Sequence, residues 1–204
     1  MAQIPVIGFV GGIGAGKSTV AKAVCQQISA EVIDGDRIGH QVLEFSHVET
    51  QLKAQFGESI FADDNTVDRS RLGALVFGTD EDSKTRLKQL TEIMYPEIGR
   101  VIQQKIKEYR SESRVKLILL DAAVLFEAGW DQYCDQIAFV EVPDEIRKQR
   151  VIQNRHWTAE QWEQRELNQM ALDQKRSRCS LVIPYSETAE SMALWLVNAI
   201  QDRN

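Results

Sequence analysis

Long hydrophobic runs are missing from this chain: no apolar stretch approaches the roughly 18 residues of a membrane-spanning helix. The N-terminus passes straight into a strand-like run without a basic, apolar, cleavable leader, so a soluble, unprocessed protein is expected, with no membrane partner. Cysteine is scarce. Cys25, Cys134 and Cys179 are odd in number and lack C-x-x-C or metal-ligand spacing, which argues against a disulfide framework or a structural zinc site. They read as reduced apolar residues of a cytoplasmic protein. Positive charge is in deficit: 24 Lys and Arg stand against 30 Asp and Glu, giving a net charge of −6. A surface of that sign repels a phosphate backbone, so no nucleic-acid partner is expected and any anion site must be local. With only 4 Pro and 12 Gly there is no flexible linker, and no internal repeat or low-complexity tract is found. The 204 residues, 43% hydrophobic, suffice for one sizeable core with a smaller appended lobe.

Glycine is instead concentrated at one place. Residues 11–18 read Gly11-Gly12-Ile13-Gly14-Ala15-Gly16-Lys17-Ser18, a complete GxxxxGK[ST] Walker A loop between an apolar run and a helix-forming one. Its fixed positions would coincide by chance in a chain this long on the order of 1% of the time. Such a loop turns backbone N–H groups inward around a polyphosphate while the following helix directs its positive end at the anion. Gly12, Ile13, Gly14, Ala15, Gly16, Lys17, Ser18 and Thr19 are therefore the expected nucleotide-binding residues, with Lys17 on the outer phosphates and Ser18 on Mg²⁺.

Five short runs rich in Val, Ile and Leu read as buried strands: residues 4–10, 31–33, 116–121, 136–142 and 181–183. Helical patterns separate them, which predicts a parallel sheet flanked by helices with ligands beyond the strands' carboxyl ends. About eighty residues lie between the second and third strands, far more than a βα connection of roughly 2 to 6 residues and one helix requires. Helix-like segments at 48–56, 71–76, 82–93 and 96–107 make this a helical insertion. The expectation is a single domain over 1–204, its nucleotide-binding core at 1–40 and 115–204, a helical substrate-binding insertion at 41–114, and a lid-containing helical region at 144–178.

Carboxylates sit at two strand ends. Asp34-Gly35-Asp36-Arg37 places two acids where the second strand stops, one of which could accept the proton of an attacking hydroxyl, although Asp-Gly is equally ordinary turn chemistry. The third strand ends Leu117-Ile118-Leu119-Leu120-Asp121, a hydrophobic run closing in an acid, as in a Walker B strand that holds Mg²⁺. Glu127, six residues on, could face the same site or be an exposed loop acid. Arg147, Arg150, Arg155, Arg165, Arg176 and Arg178 crowd one helical stretch, where Arg150, Arg155 and Arg165 could close over phosphates. Singly, each is an ordinary solvated helix residue. His40, His47 and His156 have no paired spacing or triad partner, and no chemistry is assigned to them.

In this order the motifs resemble those of the dephospho-coenzyme A kinases, nearly end to end. The GGIGSGKS-like loop is Gly11 to Ser18, and the strand ending in Asp-x-Asp is Val32-Ile33-Asp34-Gly35-Asp36. Phe56-Gly57, Asp68-Arg69-Ser70-Arg71-Leu72 and Val76-Phe77 are similar to the FG, (N/D)RxxL and VF segments of that family's coenzyme-binding lobe. Residues 121–127 are similar to its acid-then-PLLFE segment, and Arg150, Arg155, Arg165 and Gln169 fall at its lid arginines and a following glutamine. Three positions depart: Tyr95-Pro96 replaces His-Pro, Ala123 replaces the Pro of PLLFE, and Pro184-Tyr185-Ser186 replaces an Asn-rich turn. Residues 121–130 look closer to the kinase domain of animal bifunctional coenzyme A synthase.

The resemblance implies transfer of phosphate from ATP to the ribose 3′-hydroxyl of dephospho-coenzyme A, with Mg²⁺. It implies Asp36 as base, Lys17 on the β- and γ-phosphates, and Arg150 with Arg155 neutralising charge. Ser18 and Asp121 would hold the metal, and Asp34 and Arg69 would contact the acceptor. Two rivals share the loop: a nucleoside monophosphate kinase, against which the long insertion argues, and an ATP-driven switch. The absence of an NKxD guanine-reading motif disfavours a GTPase.

Overall fold

The computed structural model describes residues 3–78, 80–155 and 157–202. Five parallel strands form one sheet: β1 (Val6–Val10), β2 (Ala30–Asp34), β3 (Leu117–Asp121), β4 (Gln136–Val140) and β5 (Leu181–Ile183). The spatial order is β2-β3-β1-β4-β5. All five lie within a residue or two of their hydrophobic runs. Every residue of β1 and β3 is buried, as expected of central strands covered on both faces, where no polar alternation survives. The register sets Phe9 opposite Asp121 and Asp34 opposite Asp121, so three neighbouring strands end level.

Helices α1 (Lys17–Gln27) and α9 (Ala189–Gln201) pack together on the sheet. Val20, Val24, Met192 and Leu196 interlock there with Ile7, Phe9, Leu119 and Ile183. On the carboxyl-end side of the chain lie α6 (Asp144–Arg155), α7 (Ala159–Leu167) and α8 (Leu172–Ser177), which break the expected helical stretch at 144–178 into three. Thr158 caps α7 in a reciprocal box with Gln161, which fixes where that helix begins. His156 lies outside the described residues. No helix among those described is long and apolar enough to cross a membrane.

The chain divides into two compact units, Met1–Gly35 with Gln104–Asn204, and Asp36–Gln103. The second contains most of α2 (Gly35–Val42), then α3 (Ser46–Phe56), α4 (Arg69–Val76) and the greater part of α5 (Glu81–Ser111). Asp68 caps α4, its Oδ1 accepting the N–H groups of Ser70 at 2.9 Å and Arg71 at 3.0 Å. The alternative reading of residues 34–37 as a free turn is not realised, because α2 starts at Gly35. One expectation is corrected. The segments 82–93 and 96–107 are one helix running through Pro96: Met94, Ile98, Ile102 and Ile106 recur every four residues and are all buried, and burial of that stripe outweighs the single backbone hydrogen bond a proline removes.

Candidate active site

The phosphate loop follows β1, and its shape is set by glycine. Gly14 (φ 87°) and Gly16 (φ 78°) occupy the left-handed region, where a Cβ is costly. Gly12 is required for a different reason: a Cβ there would fall on the guanidinium of Arg147. Gly16 is the N-cap of α1 and no side chain caps that end, so the first-turn N–H groups and the positive end of the helix dipole are directed back at the loop. Lys17 Nζ donates to the Gly11 carbonyl at 3.3 Å, curling the ammonium over the loop. Ser18 Oγ donates to Asp121 Oδ2. Asp121 is 7% exposed, a carboxylate at the end of a wholly apolar strand.

Asp34 is paired in register with Asp121 and is exposed. Next to it, Gly35 lies so close to Ala122 that a Cβ would stand 2.9 Å from the Ala122 methyl, which holds the β2–α2 junction against the end of β3. The structure therefore brings Ser18, Asp121 and Asp34 to the carboxyl ends of neighbouring strands. These are hard oxygen donors. Among the described residues no cluster of three or more His, Cys, Asp or Glu could hold a metal by itself, and two or three protein oxygens completed by phosphates and water is the manner in which Mg²⁺ is bound.

Of the arginines, Arg150 reaches the loop: its Nη1 would lie 3.5 Å from a Cβ on Gly16. Arg155 and Arg165 meet on Trp157, their guanidinium carbons 5.3 Å and 4.1 Å from the ring centroid. Asp36, in the first turn of α2, and Arg69, the first residue of α4, are both exposed and belong to the unit Asp36–Gln103. His47 pairs with Glu97 at 3.0 Å, and the neighbouring Arg100 guanidinium keeps the Glu97 carboxyl below its ordinary range.

Among the described residues, two cations that the sequence does not single out are buried. Arg147 is 1% exposed and Lys175 0%. Lys175 Nζ lies 3.0 Å from the Ala123 carbonyl, from Gln169 Oε1 and from Glu127 Oε1, and Glu127 also accepts the Met170 N–H at 2.8 Å. Glu127 is thus a tie between the segment after β3 and the start of α8, rather than a loop acid. No sequence signal distinguishes Arg147 or Lys175 from the solvated cations around them, since what buries them is tertiary packing.

Together the sheet order, the Walker A loop and the acid-terminated β3 define a P-loop kinase fold. A sequence model of the family described as dephospho-CoA kinase matches residues 5–190. The chain is 36% identical over 189 residues to a dephospho-CoA kinase of Rhodopirellula baltica, covering 92% of this chain and 86% of that one. It is 35% identical to one of Carboxydothermus hydrogenoformans, covering 98% and 95%. The fold superposes on the crystal structure of TT1252 from Thermus thermophilus over the whole of both chains, with TM-score 0.81 and 28% identity. It also follows the dephospho-CoA kinase of Campylobacter jejuni (TM-score 0.69, 19% identity, 98% of each chain) in fold. The chain belongs to the dephospho-CoA kinase family.

Proposed function

We propose that this protein transfers the γ-phosphoryl group of ATP to the ribose 3′-hydroxyl of dephospho-coenzyme A, releasing ADP and coenzyme A. The observation that carries the reading is the family match over residues 5–190 joined to a formed phosphate loop whose Ser18 faces the Asp121 carboxylate. In the reaction the 3′-oxygen forms a bond to the γ-phosphorus, the bond from that phosphorus to the β–γ bridging oxygen breaks, and the hydroxyl proton passes to a carboxylate. Asp36 is assigned that proton, supported by its place as the second acid of the Asp-x-Asp pair and its exposure on α2. Phosphoryl transfer is governed mainly by alignment and charge neutralisation. Lys17 and the loop's backbone N–H groups other than that of Ile13, which Glu166 engages, hold the phosphates, and Arg150, beside Gly16, neutralises the bridging oxygen as ADP leaves. Arg155, which lies over the Trp157 ring, is assigned the same charge-neutralising role from the lid-containing region at 144–178.

Ser18 and Asp121 would hold Mg²⁺, with Asp34 at the neighbouring strand end; the ion would supply neutralisation of phosphate charge. Asp34 and Arg69 would contact the acceptor, with the helical insertion at 41–114 seating the coenzyme. ATP as co-substrate and three free cysteines are consistent with a reducing cytoplasm.

The test is ADP release measured with dephospho-coenzyme A, with adenosine monophosphate, or with no acceptor. Turnover should rise far above the acceptor-free rate with dephospho-coenzyme A alone and yield the 3′-phosphorylated product. Stimulation by adenosine monophosphate would instead identify a nucleotide kinase, and equal turnover in all three a switch.

A further inference from the structure

We propose that Arg147 and Glu166 are positioning residues that fix the tip of the phosphate loop through the Ile13 peptide group, a reading that rests on residues 11–18 being the ATP-phosphate site. Ile13 lies in a loop and gains no ladder partner from the sheet, yet both its backbone polar atoms are held. Its N–H donates to Glu166 Oε2 at 3.3 Å. Its carbonyl accepts from Arg147 Nη1 at 3.1 Å and from Trp162 Nε1 at 3.3 Å. Arg147 and Glu166 are themselves joined, Nη1 to Oε1 at 2.7 Å, and Arg147 Nη2 reaches Asp144 Oδ1 at 2.8 Å.

The approach is built on both sides of the contact. The Arg147 guanidinium takes the space a side chain on Gly12 would need, and the Arg147 carbonyl and Val151 methyl crowd the left-handed Gly14. Its face lies 5.2 Å from the centroid of the buried Trp162 ring. A cation 1% exposed is tolerated only with its charge matched; Nη1 and Nη2 are bonded, while Nε has no partner among the described residues. Here the match is made by a carboxylate that also grips the loop, so the cluster does more than neutralise itself. Lys175, also buried, makes its contacts to Ala123, Gln169 and Glu127, none of which is in the loop.

The consequence is specific to one substrate. A phosphate loop accelerates transfer only if its donors are set before ATP arrives, and small misplacement of such groups costs rate steeply. Loss of Arg147 leaves the Ile13 carbonyl held by Trp162 alone and the Glu166 carboxylate beside the loop without its cation, which repels an incoming triphosphate. Binding of dephospho-coenzyme A uses other residues.

The experiment is steady-state kinetics with each substrate varied in turn, for Arg147→Lys, Glu166→Gln and Trp162→Phe, with folding verified by circular dichroism and Lys17→Ala run beside them. Arg147→Lys keeps the charge but not the planar fork that spans three acceptors, and Trp162→Phe keeps the ring while removing the N–H. The expected result is a fall in kcat/KM for ATP of roughly ten- to hundredfold in the Arg147 and Glu166 variants, a smaller fall for Trp162→Phe, and an unchanged KM for dephospho-coenzyme A. Normal kcat/KM for ATP in folded Glu166→Gln and Trp162→Phe, with Lys17→Ala crippled, overturns the clamp and leaves the loop. Normal kinetics in Lys17→Ala as well overturns both. Equal rises in KM for the two substrates would show a general structural role and equally overturn it.

Discussion

The residues that differ most in predicted effect are Lys17 and Asp36, because they are assigned charge and proton transfer respectively. Lys17→Ala should abolish most catalysis while leaving the fold, since its ammonium lies over the Gly11 carbonyl and fills no part of the core. Asp36→Asn keeps the size and much of the hydrogen bonding of the exposed carboxylate but cannot take a proton. General-base help is worth about 10² to 10⁴ in rate, so kcat should fall in that range with ATP affinity by titration nearly unchanged. Asp34→Asn should do less to kcat. A near-normal Asp36→Asn beside a crippled Asp34→Asn would exchange the two assignments. The phosphate loop and the acid closing β3 are legible in the sequence because they are backbone and strand-end features, written as fixed spacings: Gly-x-Gly-Lys-Ser, and an acid at the last position of an apolar run; the role assigned to Asp36, inside α2, comes from the family resemblance instead. Arg147 and Lys175 are not legible, because a lone cation within a charged helix looks the same buried or solvated.

At the scale of elements, the strands follow from composition alone, whereas α2 and α5 show where local signals are overridden. Asp34-Gly35 carries a turn signal, yet the chain enters α2 at Gly35, a position kept to glycine by its close approach to Ala122. Pro96 carries a helix-stop signal, yet the buried stripe from Met94 to Ile106 continues through it. The placement of α8 rests on a less visible tie, Lys175 to Glu127 at 3.0 Å with Lys175 fully buried. Removing one partner of a buried pair leaves the other charge uncompensated, at a cost of about 3 to 5 kcal/mol. Lys175→Met should therefore lower stability by about that amount, read from urea unfolding, and Lys175→Met with Glu127→Gln should recover a substantial part of it. If the double variant is no more stable than the single one, the pair is not what fastens α8 to the segment after β3.

For the whole molecule, the composition that excluded a disulfide framework also sets its response to alkali. Burial pushes the Cys134 thiol up to about 12, with Asp131 and Asp135 adding to the effect, and burial raises Cys179 to about 12 despite Arg178 and Lys175 nearby. An unfolded cysteine ionises near about 8.5. The native state thus binds the proton more tightly than the unfolded one. The stabilisation is fully present below pH about 8.5 and is lost as pH rises toward 12, because only the unfolded chain gains by ionising in that window. For Cys134, the more deeply placed of the two, the difference amounts to about 2 kcal/mol by pH 10. With a urea slope near 2 kcal/mol/M, that is roughly 1 M in the unfolding midpoint. Lysines and tyrosines titrate over the same range, so the informative quantity is the difference between wild type and Cys134→Ala. The variant should be less stable at pH 7, where it has lost the packing of the sulfur against Gly8, and should lose less between pH 8 and pH 10, so that the two midpoints converge. Parallel midpoint curves across that interval would show that Cys134 ionises in the folded protein as readily as in the unfolded chain, and would assign the alkaline loss to other groups.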